Sequence, residues 1–210
     1  MNLLKVSTRF LTAGAVAFAV SSTASAQIEL TTNGDFETGD LSGWTSFVNP
    51  SATFTVTGDA ASGSFAGNIF NDVIPSGQVI KQANIGVGVV NPGDTIDISF
   101  DAKGTFEGPG GVAFAEFFSE LSGGGTSSAE ILSGGPLALT DSYQTFTFTT
   151  VAGPDVSGGV TLQFNAATGG ASTNSSLFID NVSVVVPEPA SLALLGLGSV
   201  AMLARRRRQA

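Results

Sequence analysis

Two pairs of carboxylates stand four residues apart, Asp97 with Asp101 and Glu116 with Glu120, inside stretches that alternate apolar and polar residues. Two acids facing one sugar are what glycoside hydrolysis needs, at roughly 5–9.5 Å depending on the stereochemical course. Alternation means a strand, and four residues at ~3.3 Å each put the members of either pair about 13 Å apart, too far for that chemistry. Pairs across neighbouring strands stay open, but no motif points to one. The chain has no His and no Cys, which removes the usual general base, the imidazole and thiolate metal ligands, the Ser-His-Asp triad, the Cys nucleophile and every disulfide. Its Gly-rich stretches, such as Gly123-Gly124-Gly125 and Gly134-Gly135-Pro136, lack the Lys-Ser/Thr and the strand-to-helix setting of a phosphate loop. The residue types therefore favour binding or structure over catalysis, and the chain is expected not to be an enzyme.

The elements that would position these residues are strands. Ile96, Ile98, Phe100 and Ala102 fall on one face of 95–102, Phe146 and Phe148 on one face of 144–150, and Val160, Leu162 and Phe164 on one face of 160–166. Phe54 with Val56, Val79 with Ile80, and Ile85, Val87 and Val89 suggest further short strands. Gly and Pro clusters punctuate them, as in Asn91-Pro92-Gly93-Asp94. The segment 114–121 is the most helix-like, yet it lies among strand signals. The expected fold is all-β: an antiparallel jelly-roll β-sandwich of about eight to ten strands.

Both ends of the chain read as addresses. Lys5 and Arg9 precede an apolar run from Phe10 to Val20, and Ala24-Ser25-Ala26 has the small-x-small form of a signal-peptidase site, with cleavage after Ala26. At the other end, Pro187-Glu188-Pro189 is followed by an uncharged segment over 190–204 and then Arg205, Arg206, Arg207 and Arg208. The prolines keep a helix from extending upstream. Fifteen residues at ~1.5 Å give about 22 Å of helix, short of the ~30 Å hydrocarbon core. The arginines would stay on the cytoplasmic side.

This three-part tail resembles the PEP-CTERM sorting signal. The resemblance implies a protein that is exported, held transiently in the inner membrane by the C-terminal helix, and processed by an exosortase-type enzyme, then placed at the cell surface or in the extracellular matrix. An ordinary single-pass tail anchor is the other reading. The organisation is thus a signal peptide over 1–26, a β-sandwich domain over 27–186 and a sorting tail over 187–210. Of 17 acidic residues 16 lie in 27–186, against Lys81 and Lys103 as its only basic ones. That balance excludes nucleic acid as a partner and argues against electrostatic docking on anionic lipid.

The domain carries a second resemblance. Asn33-Gly34-Asp35-Phe36-Glu37, Gly43-Trp44, Ala61-Ser62-Gly63-Ser64-Phe65-Ala66, Pro92-Gly93-Asp94-Thr95, Ser142-Tyr143-Gln144-Thr145-Phe146 and Leu177-Phe178-Ile179-Asp180-Asn181-Val182 occur in that order. Together they resemble carbohydrate-binding modules of the family 4/9 type, with the galactose-binding-like jelly-roll fold. The resemblance implies that Glu37 and Asp180, with Asp35 as a further ligand, meet at a structural calcium ion, and that Trp44 and Tyr143 are core residues rather than sugar platforms. Parity along 178–184 also calls for a bulge near Asp180 if Ile179 and Val182 both face the core. Phe106, Phe114, Phe117 and Phe118 remain as rings that could line a face, with core the commoner fate of each; Asn68, Asp72, Gln78 and Glu116 are polar candidates that nothing singles out. The sequence names no ligand-binding residues. Its expected function is a surface or matrix protein associating with extracellular polysaccharide without catalysis; the alternative is a purely structural envelope or biofilm protein.

Overall fold

The computed structural model describes residues 27–187 except 49, 172 and 173. The expected signal segment with Ala24 and Ala26, the helix over 190–204, and Glu188, Pro189 and Arg205 to Arg208 lie outside the described residues. Among the described residues eleven strands are seen: β1 (Gln27–Glu29), β2 (Thr45–Phe47), β3 (Thr53–Thr57), β4 (Ala66–Asn71), β5 (Ser76–Ile85), β6 (Thr95–Glu107), β7 (Val112–Glu120), β8 (Thr126–Ile131), β9 (Gln144–Val151), β10 (Val160–Thr168) and β11 (Asn174–Pro187). They form two antiparallel sheets. The six-stranded sheet runs β3-β4-β11-β6-β9, with β1 on β11; the five-stranded sheet runs β2-β5-β10-β7-β8. This is the expected all-β jelly-roll sandwich.

The alternating residues read from the sequence make the core. Ile96, Ile98, Phe100 and Ala102 from β6 meet Val160, Leu162, Phe164 and Ala166 from β10 between the sheets. Phe100 sits edge-on to Phe164 at 4.8 Å between ring centres and stacks on Phe146 at 5.4 Å, geometries that aromatic quadrupoles favour. Trp44 stacks on buried Phe36 at 5.2 Å and donates its indole N–H to the Asn33 carbonyl at 3.1 Å, so it is a core residue, as the resemblance implied. Gly67 lies beneath Phe36: a Cβ there would stand 2.6 Å from the ring. The segment 114–121 belongs mostly to β7, whose inward side carries Ala113, Ala115 and Phe117.

One expected strand is corrected. Ile85 ends β5, and Val87 and Val89 lie in a turn whose Gly86 and Gly88 both have positive φ, which breaks the alternation that the three apolar residues suggested. The bulge at Asp180 is present: pairing of β11 with β6 shifts between Asp180 and Ser183, and Asn181 has φ of 49°.

Candidate functional site

The two outer faces of the sandwich differ in what they offer a ligand. On the five-stranded sheet, register brings side chains into rows across the strands. One row runs Thr45, Lys81, Gln163, Glu116, Ile131 from β2 through β8; the next runs Phe47, Val79, Asn165, Phe114; a third has Thr161, Phe118, Ala129. Phe47 is 59% exposed, and the Lys81 ammonium lies 5.2 Å from its ring centre. Gln163 donates to Glu116 at 2.7 Å, which fixes two polar heads in the middle of the face. Beside them, the Asn165 Oδ1 atom is buried with no hydrogen-bond partner, and a Cβ at Gly77 would come within 2.9 Å of it. Aromatic planes flanking fixed hydrogen-bonding groups can receive a sugar ring by stacking and by its hydroxyls. The aromatic residues therefore divide by parity: Phe114 and Phe118 line this face, Phe117 is buried inside, and Phe106 packs against the core. Of the polar candidates, Glu116 is on the face, Gln78 is buried and Asn68 is bonded to Ser176 and the Leu177 carbonyl on the other sheet. Phe47 was not found from sequence, because a three-residue strand is too short to show a period.

Glu37 and Asp180 do converge, on one loop. Phe36, at φ of 57°, turns its ring into the core and leaves Glu37 facing the segment 61–65. Glu37 Oε1 accepts from the N–H groups of Ser64 and Phe65 at 2.7 and 2.8 Å. Asp180 Oδ2 accepts from those of Ala61 and Ser62 at 2.9 and 3.1 Å, and its Oδ1 from that of Asn181 at 2.7 Å. Gly63 fits between because it has no Cβ; one there would collide with the Glu37 carboxylate. The loop is thus clasped at both ends by carboxylates. Asp180 is fully buried. Burial raises its carboxyl above the ordinary range, the N–H donors of Ser62, Asn181 and Ala61 oppose that rise, and Asp101 adds to it.

The carboxylates of the expected calcium trio, Glu37, Asp180 and Asp35, already have hydrogen-bond donors. Glu37 Oε1 and both Asp180 oxygens face N–H donors, a polarity that suits carboxylates. Asp35 Oδ1 instead accepts from the Glu37 N–H at 3.3 Å within its own turn. Among the described residues no three His, Cys, Asp or Glu side chains gather to hold a metal ion. The residues as placed do not fit a three-carboxylate calcium centre.

The other outer face, on the six-stranded sheet, is polar and self-paired. Thr149 donates to Asp97 at 2.7 Å, Thr145 to Asp101 at 2.5 Å, and Asn181 to the other oxygen of Asp101 at 2.7 Å. Lys103 pairs with Asp59 at 2.6 Å and lies over Tyr143 and Phe178. Tyr143 donates to the Asp59 carbonyl at 2.6 Å. Burial, and then the nearby Asp59, Asp180 and Asp101, push its phenol well above the ordinary range.

A family model described as the PEP-CTERM protein-sorting motif matches residues 185–208. The chain carries a PEP-CTERM sorting motif. Pro187, the last residue of β11, is its one proline among the described residues. No curated protein matches the chain in sequence. Solved structures match its fold. The CBM22-1 xylan-binding domain from Paenibacillus barcinonensis Xyn10C is 14% identical with a TM-score of 0.56, covering 81% of this chain and 100% of that domain. A family 16 carbohydrate-binding module is 13% identical with a TM-score of 0.51, covering 74% and 98%. The enzymatically active domain of bacteriophage CBA120 tailspike protein 4 is 15% identical with a TM-score of 0.59 over 76% of this chain, which spans only 21% of the phage chain. At these identities the likeness is one of fold, the jelly roll of carbohydrate-binding modules.

Proposed function

We propose that this PEP-CTERM protein is exported, cut by signal peptidase after Ala26, anchored transiently in the inner membrane through residues 190–204, and released or tethered by an exosortase-type enzyme, after which its sandwich associates with extracellular polysaccharide. The observation that carries the binding half is the outer face of the five-stranded sheet, where Phe47, Phe114 and Phe118 flank Lys81, Gln163, Glu116 and Asn165. Such a face binds along a glycan chain without cutting it: Glu116 is engaged by Gln163, and its neighbour Glu120 stands four residues along the same strand. With 16 acidic residues against two basic ones in 27–186, the glycan is neutral, since an acidic one would be repelled. We also propose that the hydrogen-bonded clasp on 61–65 takes over the bracing role that the resemblance assigns to calcium. The test is retention of residues 27–187 on neutral and acidic fractions of the producing cells' polysaccharide. Retention on the neutral fraction that falls in Phe47→Ala supports the reading; no retention by the folded domain overturns it.

The second reading, a purely structural envelope or biofilm protein, is favoured by the self-paired Thr, Ser and Asp side chains of the six-stranded sheet. It predicts that neither outer face binds glycan.

A further inference from the structure

The sorting motif does not begin after the folded domain; its first residues are inside it. The matched segment starts at residue 185, and Val185, Val186 and Pro187 are the last three residues of β11. On one side they pair with β1: Glu29 with Val185, Ile28 with Val186, Gln27 with Pro187. On the other side Val185 also pairs with Asp97 of β6. The end of β1 is fastened further. The Glu29 carboxylate accepts from the Val184 N–H at 3.0 Å and from the Ser183 hydroxyl, and Leu30 donates its N–H to the Val184 carbonyl at 2.9 Å. Thr31 donates to the same carboxylate from its N–H at 2.8 Å, so Glu29 ties β1 to the turn that follows it as well as to β11. Pro187 pairs with Gln27 but has no N–H of its own to give the ladder.

Enzymes that take extended peptides commonly pair with the substrate's backbone as an added strand, which needs at least one free edge. At Val185 both edges are taken. We infer that β1 is a latch over the start of the sorting motif, and that the tail-processing peptidase gains the backbone of 185–187 only when β1 has left it. The latch is suited to open without unfolding the domain. It is three residues long, all exposed, and terminal strands of that kind open at little cost beyond the contacts that pin them. Those contacts centre on Glu29, so its carboxylate sets how often the latch is open. The residues that form the latch, Gln27 to Glu29, directly follow the proposed signal-peptidase site, so a freshly cut N-terminus would itself close over the C-terminal motif.

The inference rests on the proposed processing of the tail, and two measurements separate the two. Hydrogen exchange on the purified chain reads the latch alone: peptides covering 183–187 should be protected in the wild type, and Glu29→Ala should raise their exchange about tenfold, with Glu29→Gln between. Pulse–chase of tail removal from the full chain in the producing cells reads the gate: Glu29→Ala should be processed faster by a similar factor, and a Gly-Ser spacer inserted between Val186 and Pro187 should make the rate independent of residue 29. A cooperative melting transition in each variant shows that it is folded. An unprotected 183–187 in the wild type, or equal processing in a variant whose latch exchange shows to be open, overturns the latch. A tail that no variant loses, with the exchange difference intact, overturns the processing reading instead.

Discussion

The outer faces of the two sheets are built from the same strand alternation and end with opposite chemistry. On the six-stranded sheet each outward Asp is answered by a Thr or Asn of the neighbouring strand, Asp97 by Thr149 and Asp101 by Thr145 and Asn181, so its polar groups are satisfied before any ligand arrives. On the five-stranded sheet the outward rows carry Phe47, Phe114 and Phe118 beside the Gln163–Glu116 pair. A face whose hydrogen bonds are closed among themselves stabilises a sheet. A face that leaves rings open beside a fixed polar pair has something to gain from a partner.

The largest expected break in this comparison is on the open face. Phe47→Ala should weaken glycan retention about tenfold or more, as removal of a central aromatic contact does, and Phe47→Ala with Phe114→Ala should abolish it with the domain still folded by circular dichroism. The closed face should behave otherwise: Thr145→Val with Thr149→Val should leave retention unchanged and move stability by about 1 kcal/mol or less, read by thermal melting.

Between these in size stands the clasp. Asp180→Ala leaves the N–H groups of Ala61 and Ser62 without an acceptor and should cost about 3 kcal/mol, a fall in melting temperature of about 6–12 °C. Asp180→Asn keeps an acceptor and removes a buried charge, so it should lie within about 1 kcal/mol of the wild type. The pH dependence sharpens the contrast. Because burial raises the Asp180 carboxyl above its unfolded range, its contribution is fully present below the unfolded pKa and is lost as pH rises through the folded one; Asp180→Asn should remove that loss. Glu29 has the opposite sign. Burial raises it, but the bonds from Ser183, Thr31 and Val184 outweigh burial and hold it below the ordinary range. Its contribution is present above the unfolded pKa and is lost as pH falls through the folded one; Glu29→Gln should flatten that acid limb of the melting curve. The smallest expected effect is that of calcium: addition or chelation should change the melting temperature by no more than about 1 °C, and a larger rise with calcium would show that an ion, not the N–H donors, organises the clasp.

Much of this was legible in the sequence where a physical period ran long enough. Residues 95–102 alternate for four inward positions and 160–166 for three, which is enough to fix both strands and their buried faces. The bulge at Asp180 followed from parity alone, since Ile179 and Val182 both face inward. What was not legible depended on partners in space. Phe114, Phe117 and Phe118 look alike in sequence, and only the register of β7 against β10 sends the first and third outward. Phe47 stands in a strand of three residues. Val87 and Val89 imitate an alternation that Gly86 and Gly88 turn into a corner. The N–H donors that the backbone of 61–65 brings to the carboxylates of Glu37 and Asp180 carry no signal in the sequence. From sequence the domain ends at 186 and the sorting tail starts at 187; the overlap of the matched segment from residue 185 with β11 depends on strand pairing in space.

The most direct test of the account is a titration of the isotope-labelled domain with neutral oligosaccharides from the producing cells, followed by NMR. The account predicts shifts confined to β2, β5, β7 and β10, strongest at Phe47, Lys81, Glu116 and Gln163. Shifts concentrated on β6 and β9, or none at concentrations that saturate carbohydrate-binding domains, would contradict it.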